Sequence, residues 1–350
     1  MAYHPKYQIS DALLATITRI ESLRSQVAHS PILPEREIEL RHRATVEATH
    51  SSTAIEGNPL NLKQVEQVLA DGTVLTRHQY AEIEVRNYKK ALGYIDKRKA
   101  SGKPIELADI LTIHELVMEG LLPSEKAGAL RTVGVDIIDQ DDRVLYQGPS
   151  KIILKEEITA LLEWLKDNHN VHPVIAAAIL HLQFVSIHPF SDGNGRTTRV
   201  LTQLYLGLHD YDFRGALVLD SYYYTDKREY YSALRAQGED YQTATAALLD
   251  PWISYFAEGF LSSAKVLSVE VMILSNVIVG DKPVKRINME DADLLSYAKQ
   301  FGSISLAEAE SVLPNVPRRT LQRRLKTLVD NGYLTMSGST RSTVYVWAKQ

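Results

Sequence analysis

Apolar residues recur at helical spacing along most of the chain, and two stretches break that rhythm by alternating. Residues 9–29 repeat Leu and Ile near three- and four-residue steps behind Ser10, a natural cap, which predicts a packing helix. Residues 36–56 are charged, alanine-rich and free of Gly and Pro up to Gly57, which suits the position just past a helix end. Further helices are predicted over 60–70, 79–99, 106–121 and 156–168, with breaks around Asp71-Gly72 and Ser101-Gly102. His114 falls on an apolar helical period and reads as a packing residue. Pro173 then opens VIAAAILHLQFVSI, apolar nearly all round, the mark of a buried central helix, with His181 in its interior. After Gly195, Val200, Leu201, Leu204 and Leu208 resume the helical period, and 251–275 adds a last core helix.

The first alternating stretch is 128–149, where Val133, Val135 and Ile137 precede a turn at Gln140-Asp141-Asp142 and Val144 to Tyr146 follow it. A β-hairpin is predicted, marginal alone and so in need of a helical support. The second lies near the end. Helices at about 290–300, at 305–312 with the capping box Ser305-Glu308, and at 317–330 from Pro317 lead into two strands around Ser337 to Ser339. Three helices and a hairpin resemble a winged helix. On its third helix Leu321, Leu325 and Leu328 face inward, while Arg319, Arg323 and Lys326 share an outer face, as on a nucleic-acid recognition helix or a solvated basic surface.

Between the two central helices lies HPFSDGNGRTTR, from His188 to Arg199. Gly193, Asn194 and Gly195 form a loop that opens a helix. The unpaired amides of such a helix start, with a partial positive charge of about +0.5, make an anion cradle suited to phosphate. Arg196 and Arg199 stand three apart in the first turn, where guanidinium forks suit phosphate oxygens. Asp192 is a lone carboxylate beside that cradle, the usual means of holding Mg²⁺ or Mn²⁺ with water and phosphate. His188 has the one side chain whose ordinary pKa, about 6.5, suits proton transfer near neutrality. The loop is not a Walker A sequence, since no Gly-Lys-Ser/Thr follows.

The same dodecapeptide resembles the signature of the Fic family, HPFx(D/E)GNGRxxR, at every specified position. SSTAIEGN, read from Ser52, resembles the (S/T)xxxE(G/N) inhibitory motif that precedes the core in one class of that family. The resemblance implies an all-α Fic helical bundle over residues 1–275 with a small hairpin flap, an inhibitory helix at about 36–56, a linker at 276–284 and a winged-helix domain at 285–350. It implies a protein adenylyltransferase that moves AMP from ATP to a Ser, Thr or Tyr hydroxyl of a target protein, itself included. His188 would be the base and Asp192 the metal holder, with Gly193, Asn194, Gly195, Arg196 and Arg199 on the phosphates. Ser52, Glu56 and Gly57 would form the brake, with Glu56 competing for Arg199. Tyr230, Tyr231 and Gln237 would lie near the nucleoside, and Val135 and Ile138 on the flap edge closest to it. A homodimer is a further family expectation. Open alternatives are removal of AMP, transfer of another phosphate-linked group, and a DNA-binding regulator that only senses nucleotide.

Composition narrows this picture. The 350 residues, 45% hydrophobic, suffice for a sizeable core and more than one domain, and the absence of cysteine excludes disulfides, thiolate metal sites and a cysteine nucleophile. No basic leader followed by an apolar run stands at the start and no apolar stretch reaches membrane-spanning length, so a cytoplasmic protein with no membrane partner is expected. Net charge is −4, unevenly spread: ten Lys/Arg face six Asp/Glu from Pro283 onward, against 29 and 37 before it. That asymmetry marks off a mildly basic C-terminal module.

Overall fold

A computed structural model describes residues 3–71, 79–138, 143–236, 238–275, 289–338 and 343–348. The predicted linker at 276–284, the first hairpin's turn at Gln140 to Asp142 and Gln237 lie outside the described residues. The chain begins with α1 (Asp11–His29), whose Ser10 Oγ caps the Leu13 amide at 3.2 Å, and continues through α2 (Pro34–Ile55), α3 (Leu62–Asp71), α4 (Gln79–Lys99) and α5 (Leu107–Met118). The hairpin β1 (Asp136–Ile138) and β2 (Val144–Gln147) is antiparallel, with Ile137 opposite Tyr146. A short 3₁₀ turn leads to α6 (Leu154–Asp167), α7 (Pro173–Ile187) and α8 (Asn194–Leu208). Then come α9 (Asp220–Thr225), α10 (Lys227–Arg235), α11 (Tyr241–Ala246) and α12 (Asp250–Ser275).

The helix predicted to be apolar all round is the centre. Every residue of α7 from Val174 to Phe184 is buried, packed among α6, α8, α11 and α12. At about 1.5–3 kcal/mol for each large apolar side chain removed from water, this helix anchors the core. Its position fixes the two ends that matter, because the loop from His188 to Gly193 joins α7 directly to α8.

The C-terminal elements are α13 (Met289–Phe301), β3 (Ser303–Ser305), α14 (Leu306–Val312), α15 (Arg318–Asp330), β4 (Leu334–Ser337) and β5 (Val344–Trp347). Their antiparallel sheet has the order β3-β5-β4. Two strands were predicted here and three are found. The extra one, β3, is a three-residue segment that runs straight into the capping box of α14, so its strand character comes from pairing Ile304 with Tyr345 rather than from a local pattern. These elements bury a cluster around Leu294, Leu295, Leu325 and Leu328, and Ile38 of α2 belongs to it. The structure as described is mostly helical with two small antiparallel sheets, and among the described residues no helix is long and apolar enough to cross a membrane.

Candidate active site

α7 stops at His188 because that residue takes a left-handed conformation, φ 48° and ψ 59°, while its amide still reaches Phe184 O at 3.2 Å. A non-glycine residue held there costs energy and persists only where its surroundings impose it. Those surroundings are one arginine that sequence patterning did not single out. Arg131 donates from Nε to His188 O at 2.8 Å, from Nη1 to Val133 O at 2.6 Å and from Nη2 to Pro149 O at 2.6 Å, and its amide reaches Pro189 O at 2.9 Å. A single guanidinium therefore ties both ends of the hairpin to the backbone of the candidate base.

The imidazole Nδ1 of His188 lies 3.2 Å from Val185 O. A carbonyl only accepts, so Nδ1 carries the proton and Nε2 is left as the basic nitrogen. Burial pulls the pKa of His188 below its ordinary value, and the Arg131 charge adds to that. The ring is therefore neutral at pH 7 and able to accept a proton.

The loop after it is built from side chains turned inward. Asn194 is 2% exposed, accepts the Phe190 amide at 2.9 Å and donates to Phe190 O at 2.9 Å, so its amide is consumed in holding the loop. Gly193 has φ 76°, and a Cβ there would run into Met118. His114 is more than a packing residue: its Nδ1 accepts the Gly128 amide at 2.9 Å, so Nε2 carries the proton and donates to Asp192 O at 3.0 Å, with the ring stacked 3.6 Å from Phe190. The first intrahelical bond of α8 runs from Thr197 N to Gly193 O, so the amides of Asn194, Gly195 and Arg196 have no intrahelical partner. A Cβ on Gly195 would collide with Glu56 Oε1, which places a carboxylate of the chain itself against this helix start.

Glu56 sits just past the last residue of α2, as the sequence predicts, and the charge penalty of that position is offset by Arg199. Arg199 is 2% exposed; Nη2 donates to Glu56 Oε1 at 2.8 Å and to Ser52 O at 2.9 Å, and Nε donates to Ser52 Oγ at 2.6 Å. Asp220 Oδ1 lies 3.4 Å away. The Nη1 of Arg199 is buried with no hydrogen-bond partner among the described residues. Gly57, at φ 97°, turns the chain away from the helix. The last carbonyls of α2 are also met from α10, by Lys227 Nζ on Ala54 O at 3.0 Å and by the Tyr231 hydroxyl on Ile55 O at 3.4 Å.

Arg196 has a carboxylate partner as well. Glu84 of α4 pairs with its Nη1, Asp192 Oδ1 lies 3.4 Å from its Nη2, and Nε has no partner among the described residues. Asn58 donates to Glu84 at 2.7 Å and to Ala81 O at 3.0 Å, which pins the turn after Glu56 to α4. Burial raises the pKa of Glu84 and Arg196 opposes that rise, with Glu56 and Asp192 adding to it. Glu56, Glu84, Asp192 and Arg196 line an open cleft of about 480 Å³. Because Glu84 and Arg196 are both nearly inaccessible, Glu84→Ala leaves a buried cation short of its partner and is expected to cost on the order of 3–5 kcal/mol, measurable by urea unfolding.

Of the tyrosine pair, Tyr230 is 1% exposed, stacked 4.5 Å from Tyr223 and 3.0 Å from His181 Nε2, so no ring face is open to a base. Tyr231 is 38% exposed. His181 is wholly buried between Tyr230 and Thr202, and burial pulls its pKa down to about 3; burial likewise takes His114 down to about 4. Both fold neutral and bind protons more readily when unfolded, so stability is full above about pH 6.5 and falls as pH drops from 6.5 toward 4. A thermal midpoint several degrees lower at pH 4.5 than at pH 7.5, with His114→Gln reducing the difference, checks this. Val135 O accepts the Gly148 amide at 3.0 Å at the base of the hairpin, while Ile138 pairs with Val144 and its side chain is outside the described residues. Arg319, Arg323 and Lys326 are exposed on α15, above Leu321, Leu325 and Leu328.

Residues 104–206, which carry α5, the hairpin, the base and the phosphate loop, match the model of the Fic/DOC family. The chain carries a Fic domain. Protein adenylyltransferase fic-1 of Caenorhabditis briggsae is 28% identical over 270 residues, 75% of this chain and 49% of that protein. Its counterpart in Caenorhabditis elegans is 34% identical over 160 residues, 44% of this chain and 30% of that protein. The chain thus spans half or less of the curated relatives it matches. A Fic family protein from Desulfovibrio desulfuricans has the same fold, with a TM-score of 0.66, 24% identity and 99% coverage of both chains. The matched residues end inside α8, so Ser52, Glu56 and Glu84 reach the motif arginines from outside them.

Proposed function

We propose that this chain is a protein adenylyltransferase whose resting state is switched off by Glu56. The observation that carries the reading is Glu56 lying on Arg199 and against Gly195, at the helix start where an anion is favoured, one turn and a loop from an unprotonated His188. An internal carboxylate occupies the ground that the terminal phosphate of ATP would claim.

In the reaction, Nε2 of His188 accepts the proton of a target Ser, Thr or Tyr hydroxyl as its oxygen attacks the α-phosphorus of ATP. The bond from that phosphorus to the α,β-bridging oxygen breaks, and pyrophosphate leaves. Amides at the start of α8 and the charges of Arg196 and Arg199 offset the negative charge that builds on the phosphates, so catalysis is chiefly positioning and charge stabilisation. The Asp192 side chain is 56% exposed and its Oδ2 takes no hydrogen bond among the described residues. One carboxylate facing solvent beside the phosphates fits Mg²⁺, which would draw its other ligands from phosphate and water, since no three His, Asp or Glu gather around one point among the described residues. Such an ion would draw charge from the phosphate oxygens.

The hairpin tied to His188 through Arg131 would hold a target segment by strand addition, with β1 as the edge, and Tyr231 would stack on the adenine. The C-terminal elements read as a winged helix, and the exposed basic face of α15 favours an anionic partner, duplex DNA first. Incubating Glu56→Gly protein and cell lysate with ATP, CTP, GTP and UTP, each α-labelled, tests the reading. Label from ATP on protein supports it, and no protein label from any donor contradicts it.

A further inference from the structure

α2 is gripped at both ends. Its last turn sets Ser52 and Glu56 on Arg199, and its first half is held by the C-terminal elements. Ile38 is 5% exposed and sits in the apolar cluster of Ala292, Leu295 and Ala298 of α13 and Leu325 of α15. One turn on, Arg41 donates to Asp293 of α13 at 2.8 Å and to Glu37 at 2.7 Å, and Glu37 also pairs with Arg214 in the loop after α8.

α13 rests on α4 too. Lys97 Nζ lies 4.0 Å from the centre of the Phe301 ring, and the Gln300 side chain lies beside Gly93. α4 is the helix that supplies Glu84 to Arg196. One C-terminal helix therefore touches the far ends of both helices that place carboxylates on the motif arginines. On its other side, α13 is tied to α15 through Asp291, which accepts from Arg324 at 2.9 Å.

We propose that the seat of α13 on α2 sets how firmly Glu56 holds Arg199, so that the C-terminal module acts as a regulator of the phosphate site. The inference rests on the adenylyltransferase reading for its effect on rate, though not for its effect on α2. The lever is geometric. From Arg41 to Glu56 the helix runs about 22 Å at 1.5 Å per residue, so a tilt of about 3° at Arg41 displaces Glu56 by about 1 Å. A shift of that size breaks a 2.8 Å hydrogen bond and frees Arg199. Loss of the Asp293 contact leaves Arg41 paired with Glu37 and within the field of Asp212, which loosens the seat without stranding a charge.

The test uses the full chain with Asp293→Asn, and with Lys97→Ala as a second variant that removes the contact with Phe301. Hydrogen exchange of the amides at 45–56 reports the helix directly, far-UV circular dichroism and exchange within α15 report that the module remains folded, and α-labelled ATP reports transfer. Asp293→Asn is expected to speed exchange in the last turn of α2 and to raise transfer about fivefold, with a smaller change in the same direction for Lys97→Ala. In a Glu56→Gly background neither variant should raise transfer further. Unchanged exchange at 45–56 in both variants with the module folded overturns the proposal, as does an equal rise in rate when Glu56 is already absent. Faster exchange with no transfer from any form upholds the coupling and sinks the adenylyltransferase reading instead.

Discussion

In a Glu56→Gly background, His188→Ala lowers label transfer from α-labelled ATP about 10²–10⁴-fold while ATP binding stays within a few-fold. The range is what a positioned base contributes. Binding is spared because the backbone at 188 is held by Arg131 on its carbonyl and by Phe184 on its amide, neither of which involves the ring. The pH dependence follows from the same geometry. Burial and the Arg131 charge depress the His188 pKa, so the ring is protonated only below the ordinary histidine value. Transfer should therefore fall as pH drops, with a midpoint below about 6.5. An acid limb centred above 6.5 would assign proton removal to another group.

Glu56→Gly alone raises transfer about tenfold to a hundredfold. The Glu56–Arg199 contact is one charge-assisted hydrogen bond at 2.8 Å, and such a bond contributes about 1.5–3 kcal/mol, which sets the scale of what an incoming phosphate must displace. The substitution should leave the fold intact, because Arg199 keeps both contacts to Ser52 and the nearby Asp220. Ser52→Ala, which removes the 2.6 Å contact to Nε and leaves the Glu56 pair, should raise transfer by much less. Initial rates under saturating ATP compare the three proteins. A Ser52→Ala rate equal to that of Glu56→Gly would mean that the whole turn, and not the carboxylate, is the brake.

Candidate chemistry carried by adjacent residues is legible in the sequence. His188 through Arg199 is one loop and one helix turn, so its base, carboxylate, amides and arginines are close in space because they are close in the chain. The Glu56 turn was legible for a different reason: a carboxylate at a helix end reads by itself as a solvated residue before a turn, and only its resemblance to an inhibitory motif pointed it at Arg199, on which it lies. Arg131, Glu84, Asn58 and Asp220 were not legible. Each acts through a contact made far along the chain, Glu84 with Arg196 across 112 positions and Arg131 with His188 across 57, and no local period reports such pairings. His114 and Tyr230 show the limit of patterning from the other side. The apolar period of His114 is real, yet burial turned that residue into a brace for Asp192, and Tyr230, which the resemblance puts near the nucleoside, is a buried partner of His181 rather than a surface for a base. The same applies to β3, whose strand character depends on β5 some forty residues later.

Competition at Arg199 is the centre of this account, and nucleotide affinity measures it without any transfer. Calorimetric titration of ATP and of AMP into the wild-type chain and into Glu56→Gly compares a ligand that carries a terminal phosphate with one that lacks it. The account predicts that removing Glu56 tightens ATP binding about tenfold and leaves AMP binding nearly unchanged. Equal tightening of both, or no tightening of ATP, would contradict it.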